Sequence, residues 1–135
     1  ALAVSATYGV ALPVCGFHLD GRYARGRRFV DLGGAICIAT NCNPGSAPSS
    51  SMPLAIALAV RHMGLTPQEA IAATTVNPAA LLGMKDRGTI ETGKRADLIL
   101  LRHRDERSLA YEVGGNPVDT VVIGGRVVSA AHSIA

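Results

Sequence analysis

The chain has 135 residues, 48% of them hydrophobic, 17% charged and 4% aromatic, with no tryptophan and a formal net charge of +3. The low charged fraction, against roughly 25% in ordinary soluble domains, suggests apolar faces meant for a partner. Scarce aromatics argue against nucleic-acid binding despite the arginines at 22, 25, 27 and 28; no apolar run approaches the roughly 20 residues of a membrane span.

Three cysteines without a Cys-x-x-Cys pair fit a reducing compartment, the cytoplasm, better than a disulfide framework. Tyr8 to Leu12 reads as a short buried strand stopped by Pro13, followed by a loop with Gly16, His18, Asp20 and Gly21. Tyr23 to Leu32 is compatible with an amphipathic helix ended by Gly33 and Gly34. Ala35 to Thr40 is a continuous apolar strand. Strand, helix and strand, with uniformly apolar strands, predict a parallel βα arrangement covered on both sides.

Three helices follow in the reading. Met52 to His62 is apolar on most sides and therefore buried, with the serines at 49–51 as lead-in and cap. Thr66-Pro67-Gln68-Glu69 opens the second helix with a capping box and a proline at the first position. Asn77-Pro78 repeats the cap-then-proline device for a third, ending at Gly83. After Met84 glycine-punctuated β segments take over: Ala96 to Leu101, then Val118 to Ile123 and Arg126 to Ser129 joined across Gly124-Gly125. The expected division is 1–84, 85–129 and a tail at 130–135. So few β segments need further strands or a packing partner. With an opening at Ala1 that reads as the middle of a globular pattern, this suggests a piece of a longer protein.

Ligands gather at the carboxyl ends of strands in parallel α/β proteins, and Asn41 stands at such an end. The loop after it, Cys42-Asn43-Pro44-Gly45-Ser46-Ala47-Pro48, is stiffened by prolines. Its Asn43 offers a donor and an acceptor and its Ser46 a hydroxyl, a set able to grip a carboxylate or an amide. The same residues also suit a turn whose side chains satisfy their own backbone.

The run Ala39-Thr40-Asn41-Cys42-Asn43-Pro44-Gly45-Ser46, with Pro48 and Ser51-Met52-Pro53-Leu54, resembles the loop of imidazolonepropionases in the amidohydrolase superfamily. Leu65-Thr66-Pro67-Gln68-Glu69-Ala70, Thr75-Val76-Asn77-Pro78-Ala79 and the stretch from Gly88 to Leu98 continue the likeness in order. It covers Leu2 to about Val128. The resemblance implies an α/β fold: the last two strands of a (β/α)8 metal-dependent hydrolase barrel plus the trailing half of a small β-sandwich domain. It implies hydrolysis of the ring amide of 4-imidazolone-5-propanoate to N-formimidoyl-L-glutamate in histidine breakdown, with one Zn or Fe ion, a small-molecule substrate and a homodimer when intact. Asn43, Gly45 and Ser46 match substrate or product contacts.

Asn41 matches the family's metal-binding and catalytic aspartate, and there the sequence departs from the pattern. An amide oxygen coordinates more weakly than a carboxylate and cannot act as a base. The family's His-x-His pair and later histidines belong to strands not represented here, so no metal is expected on this chain alone. His18 is a candidate to approach the site, His62 to cap carbonyls or meet solvent, and His103 and His132 to lie on the surface. A non-catalytic relative acting as a binding module is the competing expectation. Cys15, His18, Cys37 and Cys42 have the ligand types of a zinc site, but Cys37 falls inside an apolar strand. Cys42 with His18 as a nucleophilic pair lacks a local signature.

Overall fold

The computed structural model describes residues 1–130. Its elements are a 3-10 turn at Leu2–Val4, then β1 (Gly9–Ala11), α1 (Pro13–Leu19), α2 (Gly26–Asp31), β2 (Ile36–Ile38), α3 (Met52–Met63), α4 (Pro67–Ala72) and α5 (Val76–Leu81). They are followed by β3 (Leu98–Leu101), α6 (Ser108–Tyr111), β4 (Val118–Ile123) and β5 (Arg126–Ala130). The tail from 131, with His132, falls outside the described residues.

β1 and β2 pair in parallel, Gly9 opposite Ile36 and Ala11 opposite Ile38, as the apolar strands predict. Ile36, Cys37 and Ile38 are all buried, so β2 is covered on both faces. The far side of β2 is served by helices: Asn77 Nδ2 donates to the Ile36 carbonyl at 2.8 Å, and Ile38 N donates to the Ala73 carbonyl at 2.8 Å.

The segment after Pro13 is a helix rather than the expected loop. Proline's fixed φ suits the first helical turn, so the residue that ends β1 also starts α1. Val14 is buried, and a Cβ on Gly16 would run into the Arg22 carbonyl oxygen, so only glycine lets α1 seat against the chain that follows it. The helix expected over Tyr23 to Leu32 is confined to Gly26–Asp31. Gly26 lies against α3, where an added Cβ would stand 3.0 Å from the Met63 Cβ.

Helix α3 is the centre of the core, burying Ala55 through Ala59 and Met63. Ser51 caps it by accepting from Leu54 N, and Gly64 closes it in the left-handed region at φ 71°. The capping box of α4 is complete, with Thr66 accepting from Glu69 N and Glu69 accepting from Thr66 N. Glu69 also receives both terminal nitrogens of Arg27, at 2.8 and 3.0 Å, which ties α2 to α4. Asn77 does not cap α5. That helix starts at Val76 after Thr75, and the Asn77 side chain is spent on β2 instead.

Helix α6 was not foreseen. Its Leu109 and Ala110 join the core formed by α3, and Arg61 donates to the carbonyls of Ala110 and Tyr111. The remaining strands form an antiparallel sheet in the order β3-β4-β5. Gly124 and Gly125 both take positive φ, 56° and 80°, as a two-residue hairpin turn requires. The turn is fastened to the start of β3 by Gly124 N donating to Asp97 Oδ1 at 2.8 Å and Gly125 N to the Ala96 carbonyl at 3.0 Å.

Candidate functional site

The loop after β2 is closed by an isolated antiparallel bridge between Asn43 and Ala47, with Asn43 N donating to the Ala47 carbonyl at 3.0 Å and Ala47 N returning to the Asn43 carbonyl at 3.2 Å. Ala47 is wholly buried and anchors the turn in the core, while Gly45 at its tip is exposed. Asn41, just past the strand, is the one described non-glycine residue with positive φ, at 56°. Asparagine tolerates this region better than most residues.

Asn43 holds the loop from inside. Its Oδ1 accepts from Gly45 N at 3.0 Å, Ser46 N at 2.8 Å and Ser46 Oγ at 3.1 Å. Its Nδ2 donates to the Asn41 carbonyl at 2.6 Å and to Ser46 Oγ at 2.9 Å. The self-satisfied turn foreseen as an option for these residues is therefore present. It coexists with exposure of the Asn41 side chain and of Gly45.

Sequence reasoning did not place Cys15 here. From α1 its sulfur accepts from Asn41 Nδ2 at 3.0 Å and lies 3.7 Å from Ser46 Oγ. His18, one turn further along α1, is exposed and makes no hydrogen bond to the loop among the described residues. His62 is exposed, as the solvent alternative has it, and its ring stacks on Tyr23 with centroids 4.4 Å apart and planes 10° from parallel. His103 is exposed as expected and pairs with Glu112 at 2.8 Å.

Among the described residues no three His, Cys, Asp or Glu side chains converge. That removes the zinc reading of Cys15, His18, Cys37 and Cys42. Cys37 is buried inside β2, where desolvation pushes its thiol above the ordinary value, the opposite of what a ligating thiolate needs. In the loop, Asn41 can offer a cation one neutral oxygen. Such an oxygen suits a hard or borderline ion but adds no charge, so this chain fits a metal only as a contributor to a donor set built mostly elsewhere.

A parallel strand pair backed by helices, with a braced polar loop at the carboxyl end of its second strand, places the chain among α/β proteins with a parallel, helix-covered sheet. The chain belongs to the amidohydrolase family, whose model matches residues 23–128. Among curated relatives it is 49% identical to the imidazolonepropionase of Deinococcus deserti over 121 residues, covering 90% of this chain and 30% of that protein. It is 47% identical to that of Deinococcus radiodurans, covering 93% and 31%. The chain thus spans about 30% of the length of the relatives it matches.

Solved structures agree on the fold. A zinc-bound adenosine deaminase from Xanthomonas campestris superposes with a TM-score of 0.80 at 23% identity, covering 93% of this chain and 33% of that one. A triazine hydrolase variant gives 0.79 at 21%, covering 93% and 32%. The architecture is accordingly an α/β portion of the amidohydrolase barrel. No helix among the described residues is long and apolar enough to cross a membrane.

Proposed function

We propose that the protein to which this chain belongs is a metal-dependent cyclic amidohydrolase of the imidazolonepropionase type, converting 4-imidazolone-5-propanoate and water to N-formimidoyl-L-glutamate. The observation that carries the reading is the 49% identity to an imidazolonepropionase over 90% of the chain. In this reading residues 1–84 contribute the last barrel strands and their helices. Residues 85–129 are the trailing half of a small β-sandwich, from which α6 returns to pack on α3. Ile99 and Ile123, exposed on one face of the three-stranded sheet, suit a second layer over that face.

Asn43, Gly45 and Ser46 are the proposed substrate contacts, with Gly45 supplying the open tip and Asn43 acting chiefly by bracing it. The ion, Zn or Fe, would when bound acidify a water and polarise the ring carbonyl. Asn41 stands at the position of a carboxylate and supplies neither charge nor base, so turnover is low or lost unless another group takes the proton. A homodimer in the cytoplasm, acting on a small molecule, completes the proposal from family likeness.

The test is hydrolysis of imidazolone propanoate by the full-length protein and by Asn41→Asp. Restoring a positioned carboxylate should raise turnover by about 10²- to 10⁴-fold. An equal rate in both proteins would show that Asn41 has been given the wrong role. No hydrolysis by either, with both correctly folded, would favour a non-catalytic binding module.

A further inference from the structure

We infer that residues 102–117 form a strap over α3, held down by Arg61 and loosened by the buried hydroxyl of Ser108, that releases as one unit while the rest of the chain stays folded. What releases is the tie between the three-stranded sheet and α3, the helix into which the candidate loop runs. The inference stands apart from the reading of that loop.

The strap leaves the sheet at the end of β3 and rejoins it at the start of β4, and its ends are fixed together. Arg102 N donates to the Pro117 carbonyl at 2.9 Å, the Arg102 guanidinium reaches the Asn116 carbonyl, and Pro117 is fully buried. Above this base His103 Nε2 meets Glu112 Oε1 at 2.8 Å, joining the outgoing leg to the returning one. A segment closed in this way at the β3–β4 ladder can leave its docking place without unravelling the sheet.

Its hold on the rest of the molecule is narrow. Ser108, Leu109 and Ala110 are the buried residues of α6, and the last two bring the apolar side chains that join the core around α3. Gln68 Nε2 donates to Glu106 Oε1 at 3.1 Å, but both side chains are exposed. The directional contact comes from Arg61 on α3, whose guanidinium donates to the carbonyls of Ala110 and Tyr111. Those carbonyls belong to the last turn of α6, beyond the reach of its own N–H groups, so one side chain satisfies both.

The docked position also carries a defect. Ser108 Oγ is buried and has no hydrogen-bond partner among the described residues. A buried hydroxyl without a partner favours the state that returns it to water. A helix of four residues has no stability of its own, so α6 melts once it leaves α3 and the hydroxyl is hydrated. Gly114, at φ 82° with open space around it, gives the returning leg a point of rotation. Arg61 and Ser108 therefore act in opposite directions on one equilibrium.

The experiment is hydrogen exchange of the full-length protein and of its Arg61→Ala and Ser108→Ala variants, followed by mass spectrometry on peptides covering 108–113 and 55–63. The amides of Leu109, Ala110, Tyr111 and Glu112 are bonded to the carbonyls of Glu106, Arg107 and Ser108 and are released when α6 opens. In the wild type they should exchange at least about 10-fold faster than the buried amides of α3. Loss of the charged hydrogen bonds in Arg61→Ala should speed α6 by about 10-fold. Removal of the unpartnered hydroxyl in Ser108→Ala should slow it by about 5-fold or more, beyond the roughly twofold that alanine's helix propensity contributes. The α3 peptide should be unchanged in both variants. Exchange of α6 at the α3 rate in the wild type overturns the inference, because the strap then opens only with the core. An Arg61→Ala variant in which both peptides speed up together, or neither does, overturns it as well. So does Ser108→Ala exchange within about twofold of the wild type, since the hydroxyl then costs the docked strap nothing.

Discussion

Replacing Glu69 with glutamine separates the charge of its ion pair from its capping geometry. Glu69 Oε2 accepts from Arg27 Nη1 at 2.8 Å and from Thr66 N at 2.8 Å, while Oε1 accepts from Arg27 Nη2 at 3.0 Å. The Arg27 hydrogen bonds, and after them the Thr66 backbone N–H, hold the carboxyl at about 2 instead of 4.5. Unscreened, that difference would correspond to about 3 kcal/mol. The side chains of Arg27 and Glu69 are 40% and 31% exposed, so water screens much of it. About 1–2 kcal/mol is expected near neutral pH.

Glutamine keeps an acceptor for the Thr66 N–H, because Glu and Gln both serve in a capping box. The loss in Glu69→Gln therefore reports the charge together with the second Arg27 hydrogen bond, since a glutamine NH2 cannot accept from Arg27 Nη2. A depressed carboxylate stabilises the fold fully above its ordinary value and loses that contribution as pH falls through its folded value. The gap between wild type and variant should be full above about pH 5 and close as pH approaches 2. Urea unfolding followed by circular dichroism across this range measures it. A gap that is constant with pH, or absent near neutrality, refutes the reasoning.

Other outcomes follow from single residues. Gly16→Ala should cost about 1–3 kcal/mol, read from the urea midpoint, because α1 must move off the Arg22 carbonyl. Asn77→Ala leaves the Ile36 carbonyl without its partner and should cost about 1–3 kcal/mol, with faster amide exchange at Ile38 next to the loosened corner. In native protein Cys42, which is exposed, should react with a thiol reagent before Cys37, which is buried with its thiol pushed up. Cys37 modification at the rate of Cys42 without unfolding would contradict the burial of β2.

What the sequence made legible was local. The Thr66–Glu69 capping box, the Ser51 cap and the Gly124-Gly125 turn each depend on residues within a few positions, so their spacing carries the information. The apolar strands announced their parallel pairing through composition alone. Pro13 misled because a proline that ends a strand is equally suited to begin a helix. Asn77 misled because its partner, Ile36, is 41 residues away, and no local pattern shows that a side chain prefers a distant carbonyl to a cap. The site divides the same way. The Asn43–Ser46 turn could be anticipated from its residue types, whereas Cys15, 26 residues before Asn41, stood out only as a zinc-ligand type until α1 placed it beside the loop.

The corner formed by Asn77 and Ala73 along β2 has a consequence for how the sheet can grow. A strand adding beside β2 would have to evict the Asn77 amide from the Ile36 carbonyl and the Ala73 carbonyl from Ile38 N. On the opposite side, β1 turns toward solvent at Val10, which is exposed. Bare strand edges recruit other strands indiscriminately. Closing a (β/α)8 barrel needs a strand on both edges of this pair, so the Asn77 and Ala73 contacts are the ones that would be exchanged for ladder hydrogen bonds when a strand joins β2.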